Sequence, residues 1–301
     1  MASASEERLV GSDDLPEELK ENFNCVEVYG GGDCFFDTIA KGIHILDTTS
    51  EDINEDTLRD ALCSYYRSNL QTLQTPDDFY NKYFGIKHRN DQIHYDNGVI
   101  IPIICKKGAS IPVFELGVFS ILSPYQFQVY RTNNGETENI SESEEYMNNL
   151  SVLLITDEDD NYDPLETQTS IAEILSEIKK KPTIYMWFHP LRMRKKGDGT
   201  YENTGKAIHF SLLVPKDEQQ IKEEISKVDE SSENVYNFLK DQNPVSVSAL
   251  EFFSKCSPKI FSERAIEMIK ALEQPKAAAE AKAAAEAKAA AEAKAAAEAK
   301  A

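Results

Sequence analysis

The stretch Gly30-Gly31-Gly32-Asp33-Cys34-Phe35-Phe36 decides how this chain is read. Three glycines free the backbone from side-chain sterics, so the chain can turn sharply and aim its N–H groups. From Cys34 to His44 the apolar residues Phe36, Ile39, Ala40 and Ile43 recur at helical spacing, with Gly42 weakening the last turn. That spacing puts the Cys34 thiol at the N-terminus of a buried helix, where unpaired N–H groups and the helix dipole favour a thiolate. Upstream, Phe23 to Tyr29 alternates as a strand, with Phe23, Cys25 and Glu27 on one side and Val26 and Val28 on the other. Strand, turn and helix thus supply a nucleophile, while backbone N–H groups of Gly31, Gly32 and Asp33 can converge on a developing oxyanion. A buried structural cysteine and a phosphate-binding turn share parts of this pattern. Against the phosphate turn, Asp33 places a carboxylate at the anion position, and the lysine-bearing phosphate-loop spacing is absent.

Composition bounds the partners. The 301 residues carry 41% hydrophobic and 28% charged side chains, enough apolar material for a real core. Acidic residues outnumber basic ones 52 to 32, for a formal charge of -20. That balance argues against nucleic acid and suits a basic protein partner. The five cysteines at 25, 34, 63, 105 and 256 are odd in number and widely spaced, so the expectation is no disulfide framework, no CxxC metal site, and reduced thiols in a cytosolic compartment. The N-terminus lacks the apolar core of a secretory signal, and no run approaches the roughly 18 apolar residues of a membrane span.

Outward from the cysteine turn, residues 1–20 read as a solvated, flexible lead-in. A second helix starts at the cap Asn54 and shows Leu58, Ala61, Leu62, Tyr65, Asn69 and Leu73 on one face, until Pro76 stops it. A helix is expected over Phe114–Leu122 and a strand over Gln126–Tyr130. Residues 133–149 read as an acidic loop, Ser151–Thr156 as a short strand, and Ser170–Ile178 as a helix. Ile184–Phe188 and Ala207–Val214 read as an antiparallel hairpin joined by a polar loop from Arg192 to Lys206. Residues 216–275 are helical and polar with apolar clusters, while 276–301 repeat AAAEAK as an exposed helical spacer or tail, with Lys276 and Glu280 at i,i+4.

A base must accompany the thiol. Of the five histidines, His44 stands too far along the cysteine helix, His88 and His94 lie in a polar region, and His189 precedes Pro190 at a strand end. His209 lies near the start of a late strand, after a glycine-bearing loop, where a side chain can reach a neighbouring helix.

Here the residues meet a known pattern. GGGDCFFDTIAKGI resembles the cysteine motif of the ovarian-tumour (OTU) family of deubiquitinases. Three later segments resemble the same family in the same order: Leu58-Arg59-Asp60 through Asn69-Leu70, Glu115-Leu116 through Val129-Tyr130, and the pair His209-Phe210. The resemblance spans about residues 23–215. It implies an α/β (α+β) fold of papain type, a central mixed sheet flanked by helices. The OTU-like catalytic domain would run over 21–215, with an inserted segment at about 133–182 and a helical C-terminal extension at 216–275. It implies Cys34 as nucleophile, His209 as general base, and the N–H groups of Gly31, Gly32 and Asp33 at the oxyanion. The substrate would be ubiquitin or polyubiquitin, cleaved at the isopeptide bond by a monomer with no metal or cofactor. The chain departs from the family in having Ser211, not Asp or Asn, two positions after the histidine. Glu27, seven positions before the cysteine, is therefore the first choice to orient the imidazole, ahead of Asp33 and Ser211. This divergence is also what gives the expectation of a bacterial or viral effector acting in host cytoplasm. A catalytically inactive ubiquitin-binding module and a papain-like protease for another substrate stay open beside it.

Overall fold

Alternation in the strands and 3.6-residue spacing in the helices sort the side chains onto a five-stranded mixed sheet with helices against it. The computed structural model describes residues 7–28, 32–70, 93–96, 99–102, 105, 107, 116–133, 136–142, 173, 175–190, 192–195, 201–203, 208–242 and 245–274. Along the chain come β1 (Glu7–Leu9), α1 (Glu17–Asn22), β2 (Phe23–Val26), α2 (Cys34–Leu46), α3 (Glu55–Leu70), β3 (Ile93–Asp96) and β4 (Val99–Pro102). There follow α4 (Leu116–Leu122), β5 (Gln126–Asn133), β6 (Glu136–Asn139), β7 (Thr183–Pro190), β8 (Arg192–Lys195), β9 (Tyr201–Asn203) and β10 (Ile208–Pro215). The C-terminal helices are α5 (Glu218–Ser226), α6 (Val228–Lys240), α7 (Val247–Cys256) and α8 (259–274).

The main sheet has the order β2-β10-β7-β5-β6. β10 pairs antiparallel with both β2 and β7, β7 runs parallel to β5, and β6 closes the far edge antiparallel. The β7–β10 pairing sets Phe210 opposite Phe188, His209 opposite His189 and Ser211 opposite Trp187. Because side chains alternate, the two faces of these strands bury different partners. On one face Ile184, Met186, Phe210 and Leu212 pack with Phe35, Phe36, Ile39 and Ile43 of α2. On the other, Tyr185, Trp187 and Leu213 pack with Leu15, Leu19 and Phe23. Gly42 makes the first contact close: a Cβ there would stand 2.5 Å from Ile184 Cγ2. The residue that costs α2 helix propensity is thus what lets the helix approach β7. Side chains from α6, α7 and α8, including Val235, Phe252, Phe253 and Ala265, enter the same core as α2.

Several expectations need correction. The lead-in is not solvated throughout: Leu15, just before α1, and Leu19 within it are 3% and 4% exposed and cover the Trp187 face of the sheet. β1 pairs with β8, which pairs with β9, so the polar loop after Arg192 contains a small three-stranded sheet. The acidic loop at 133–149 contains β6, whose charged side chains alternate outward while its backbone pairs with β5. The thiols are not all reduced: Cys63 on α3 and Cys105 form a disulfide, with Cα atoms 5.3 Å apart. Burial of one face of α3 brings Cys63 to Cys105 across 42 residues of sequence, a proximity that spacing alone does not reveal. As expected, Asn54 caps α3, its Oδ1 accepting the Thr57 N–H at 3.0 Å. The expected strand at 151–156, Leu73 and the AAAEAK segment lie outside the described residues.

Candidate active site

The cysteine turn is held from below by α3. Gly32 has φ 90, a left-handed conformation that only glycine adopts cheaply, and Asp33 follows at φ -97, ψ -1 as the N-cap of α2. The Asp33 carboxylate does not cap the helix. Its Oδ1 instead accepts a hydrogen bond from Arg59 Nη2 at 2.6 Å, and the same nitrogen donates to the Gly32 carbonyl at 3.1 Å. The Arg59 guanidinium lies 4.6 Å from the centre of the Phe36 ring, adding a cation–π contact. Arg59 is buried, so this ion pair escapes most of the screening that weakens surface pairs. Gly31, the first of the three expected oxyanion residues, lies outside the described residues.

Cys34 is the first residue of α2 and is 5% exposed. Burial pushes its thiol above the ordinary value, while N–H groups of Phe210, Phe35 and Cys34 itself act in the opposite direction. The Phe210 contact matters most for geometry, because it sets the thiol against the backbone of β10 one residue from His209.

His209 is 6% exposed. Burial holds its imidazole below the ordinary value, with Glu27, the Val28 carbonyl and Asp37 acting against that shift. Asp37 belongs to the first turn of α2, so the ring lies within electrostatic reach of the same helix end that carries Cys34. Both shifts favour the uncharged forms, thiol for Cys34 and neutral imidazole for His209.

The three residues considered for orienting His209 are placed differently. Glu27 is exposed, and its Oε1 accepts the Ser12 N–H at 2.9 Å; it acts on His209 through space. Asp33 is committed to Arg59. The Ser211 hydroxyl lies 3.1 Å from Nε2 of His189, not on His209. Among the described residues none of the three hydrogen-bonds the His209 ring, and the group facing it is the Val28 carbonyl. A backbone carbonyl leaves no mark in a sequence. His189 does leave one: two histidines at matching ends of adjacent antiparallel strands must face each other.

Among the described residues no group of three or more His, Cys, Asp or Glu side chains could hold a metal ion. No helix among them is long and apolar enough to cross a membrane. In comparisons with family models, curated proteins and solved structures, the chain matches none.

Proposed function

We propose that the protein is a cysteine hydrolase of the deubiquitinase type, cleaving isopeptide bonds after the C-terminal glycine of ubiquitin. One observation carries the reading: the Cys34 thiol stands at a helix N-terminus against the Phe210 N–H, adjacent in β10 to the buried base His209. In the reaction His209 takes the Cys34 proton and the sulfur attacks the glycine carbonyl carbon. Collapse of the tetrahedral adduct breaks the C–N bond, and the lysine amine leaves with the proton from His209. Water, giving a proton to His209, then attacks the thioester and releases the ubiquitin carboxylate and the Cys34 thiol. The left-handed Gly32 followed by right-handed Asp33 turns successive N–H groups toward one side, a geometry suited to the oxyanion. A net charge of -20 suits a substrate with a basic tail.

A second reading, an inactive ubiquitin-binding module, is favoured by one observation: no acid among the described residues bonds the His209 ring. A papain-like protease for another substrate shares the same chemistry. A ubiquitin probe with a C-terminal electrophile separates them. The enzyme reading expects a covalent adduct that Cys34→Ala abolishes. Binding without an adduct selects the module, and no binding overturns both ubiquitin readings in favour of another substrate.

A further inference from the structure

His189 stands directly across from His209 in the β7–β10 register, and both are buried, at 2% and 6% exposure. Their ring centres lie 5.2 Å apart with planes at 78°, one edge against the other's face. His189 also stacks on Trp187, at 3.8 Å and 27°. Trp187 is itself fixed, its indole N–H donating to Thr132 Oγ1 at 2.9 Å. The polar atoms of His189 are both occupied. Its Nδ1 lies 3.0 Å from the Pro190 carbonyl, which can only accept, so Nδ1 carries the proton. In the neutral ring Nε2 is then an acceptor, and the Ser211 hydroxyl donates to it across 3.1 Å. One tautomer and one ring plane follow from these contacts.

We propose that His189 is a positioning residue for His209, its fixed ring holding the His209 imidazole at the angle that an acid two positions after the histidine would otherwise set. This rests on the reading of Cys34 and His209 as a thiol–base pair. Burial holds His189 at about 4, so it is neutral wherever the pair would work. The charged groups acting on it are His209, Asp14 and Glu27, and those acting on His209 are Glu27 and Asp37. A neutral neighbour adds no repulsion when His209 takes a proton.

Alkylation of Cys34 by iodoacetamide, followed by peptide mass spectrometry across pH, tests this without ubiquitin. In the wild type the rate should show an acid limb with its midpoint below 6.5, set by His209. His189→Ala should slow alkylation at pH 7 about tenfold, because a loosened base is seldom aligned. His189→Phe keeps a ring against Trp187 and should stay within about threefold of wild type. Alkylation of His189→Ala at pH 7 within about threefold of wild type overturns the proposal, and so does a tenfold loss in His189→Phe with native circular dichroism. The second result decides alone if His189→Ala does not fold. If His209→Ala leaves the wild-type profile intact, the thiol–base pair fails and the role of His189 fails with it. If His209→Ala removes the limb while His189→Ala keeps the wild-type rate, only the role of His189 fails. Neither outcome depends on ubiquitin being the substrate.

Discussion

Around Cys34 the fixing contacts are ionic: Arg59 of α3 clamps Asp33 and the Gly32 carbonyl, and the dipole of α2 acts on the thiol. Around His209 the direct contacts are uncharged, His189 stacked on Trp187 and the Val28 carbonyl, backed by Leu15 and Leu19, while the carboxylates of Glu27 and Asp37 act only through space. The difference shows how each partner can fail. A charge clamp fails when one partner is removed and the other is left buried. An apolar packing fails when a charge enters it, as when a buried imidazole is protonated.

The sharpest test of the pair itself is His209→Ala. Turnover of ubiquitin chains should fall on the order of 10³-fold while the fold survives, and cleavage at the wild-type rate would end the assignment. On the Cys34 side, Arg59→Met should cost roughly 3 kcal/mol in urea unfolding, since Asp33 is left without its buried cation. A loss under about 1 kcal/mol would show that the clamp is an ordinary surface pair.

The His209 side has its own signature in pH. His189 is lowered from 6.5 to about 4 in the fold, so the unfolded chain binds the extra proton between those values. Its contribution to stability is complete above 6.5 and is lost as pH falls toward 4; between pH 7 and pH 5 the loss should be about 2 kcal/mol. His189→Phe should flatten that part of the stability profile, and an unchanged slope would place the buried proton uptake elsewhere. The smallest effect belongs to Glu27→Gln. An exposed carboxylate acting through space should change turnover only about threefold. A hundredfold loss would make Glu27 the orienting acid after all and reduce the uncharged packing to a supporting role.

How much of this was legible follows the same division. The Cys34 turn could be read because its parts adjoin in sequence: glycines, cysteine and an apolar helix. The strand Gln126–Tyr130 was readable from its alternation and Ile184–Phe188 from a short apolar run, and the mixed sheet flanked by helices agrees with the expected class. The antiparallel pairing of β7 with β10 was legible too, from two apolar runs either side of a polar loop, but the small sheet was not. β8 is a polar strand whose partner β1 lies over 180 residues away, and β9, its other partner, is equally polar, so neither composition nor alternation marks them. The contact of Ser211 with His189, made beside a second contact with Cys25, is likewise a product of register, since nothing in Ser211 itself says which histidine it faces.

Gly42 gives the packing of α2 a further meaning. It sits eight residues beyond Cys34, about 12 Å along the helix axis, where the helix presses on Ile184. That contact is a fulcrum, and α2 is a lever with the sulfur at its tip. A methyl added at the fulcrum would prise the helix from β7 and swing the tip relative to the Phe210 N–H. Every side chain at the turn would keep its identity while the distance from sulfur to β10 changed. The position of the Cys34 sulfur is in this sense gauged from the far half of its own helix, at a residue that has no side chain.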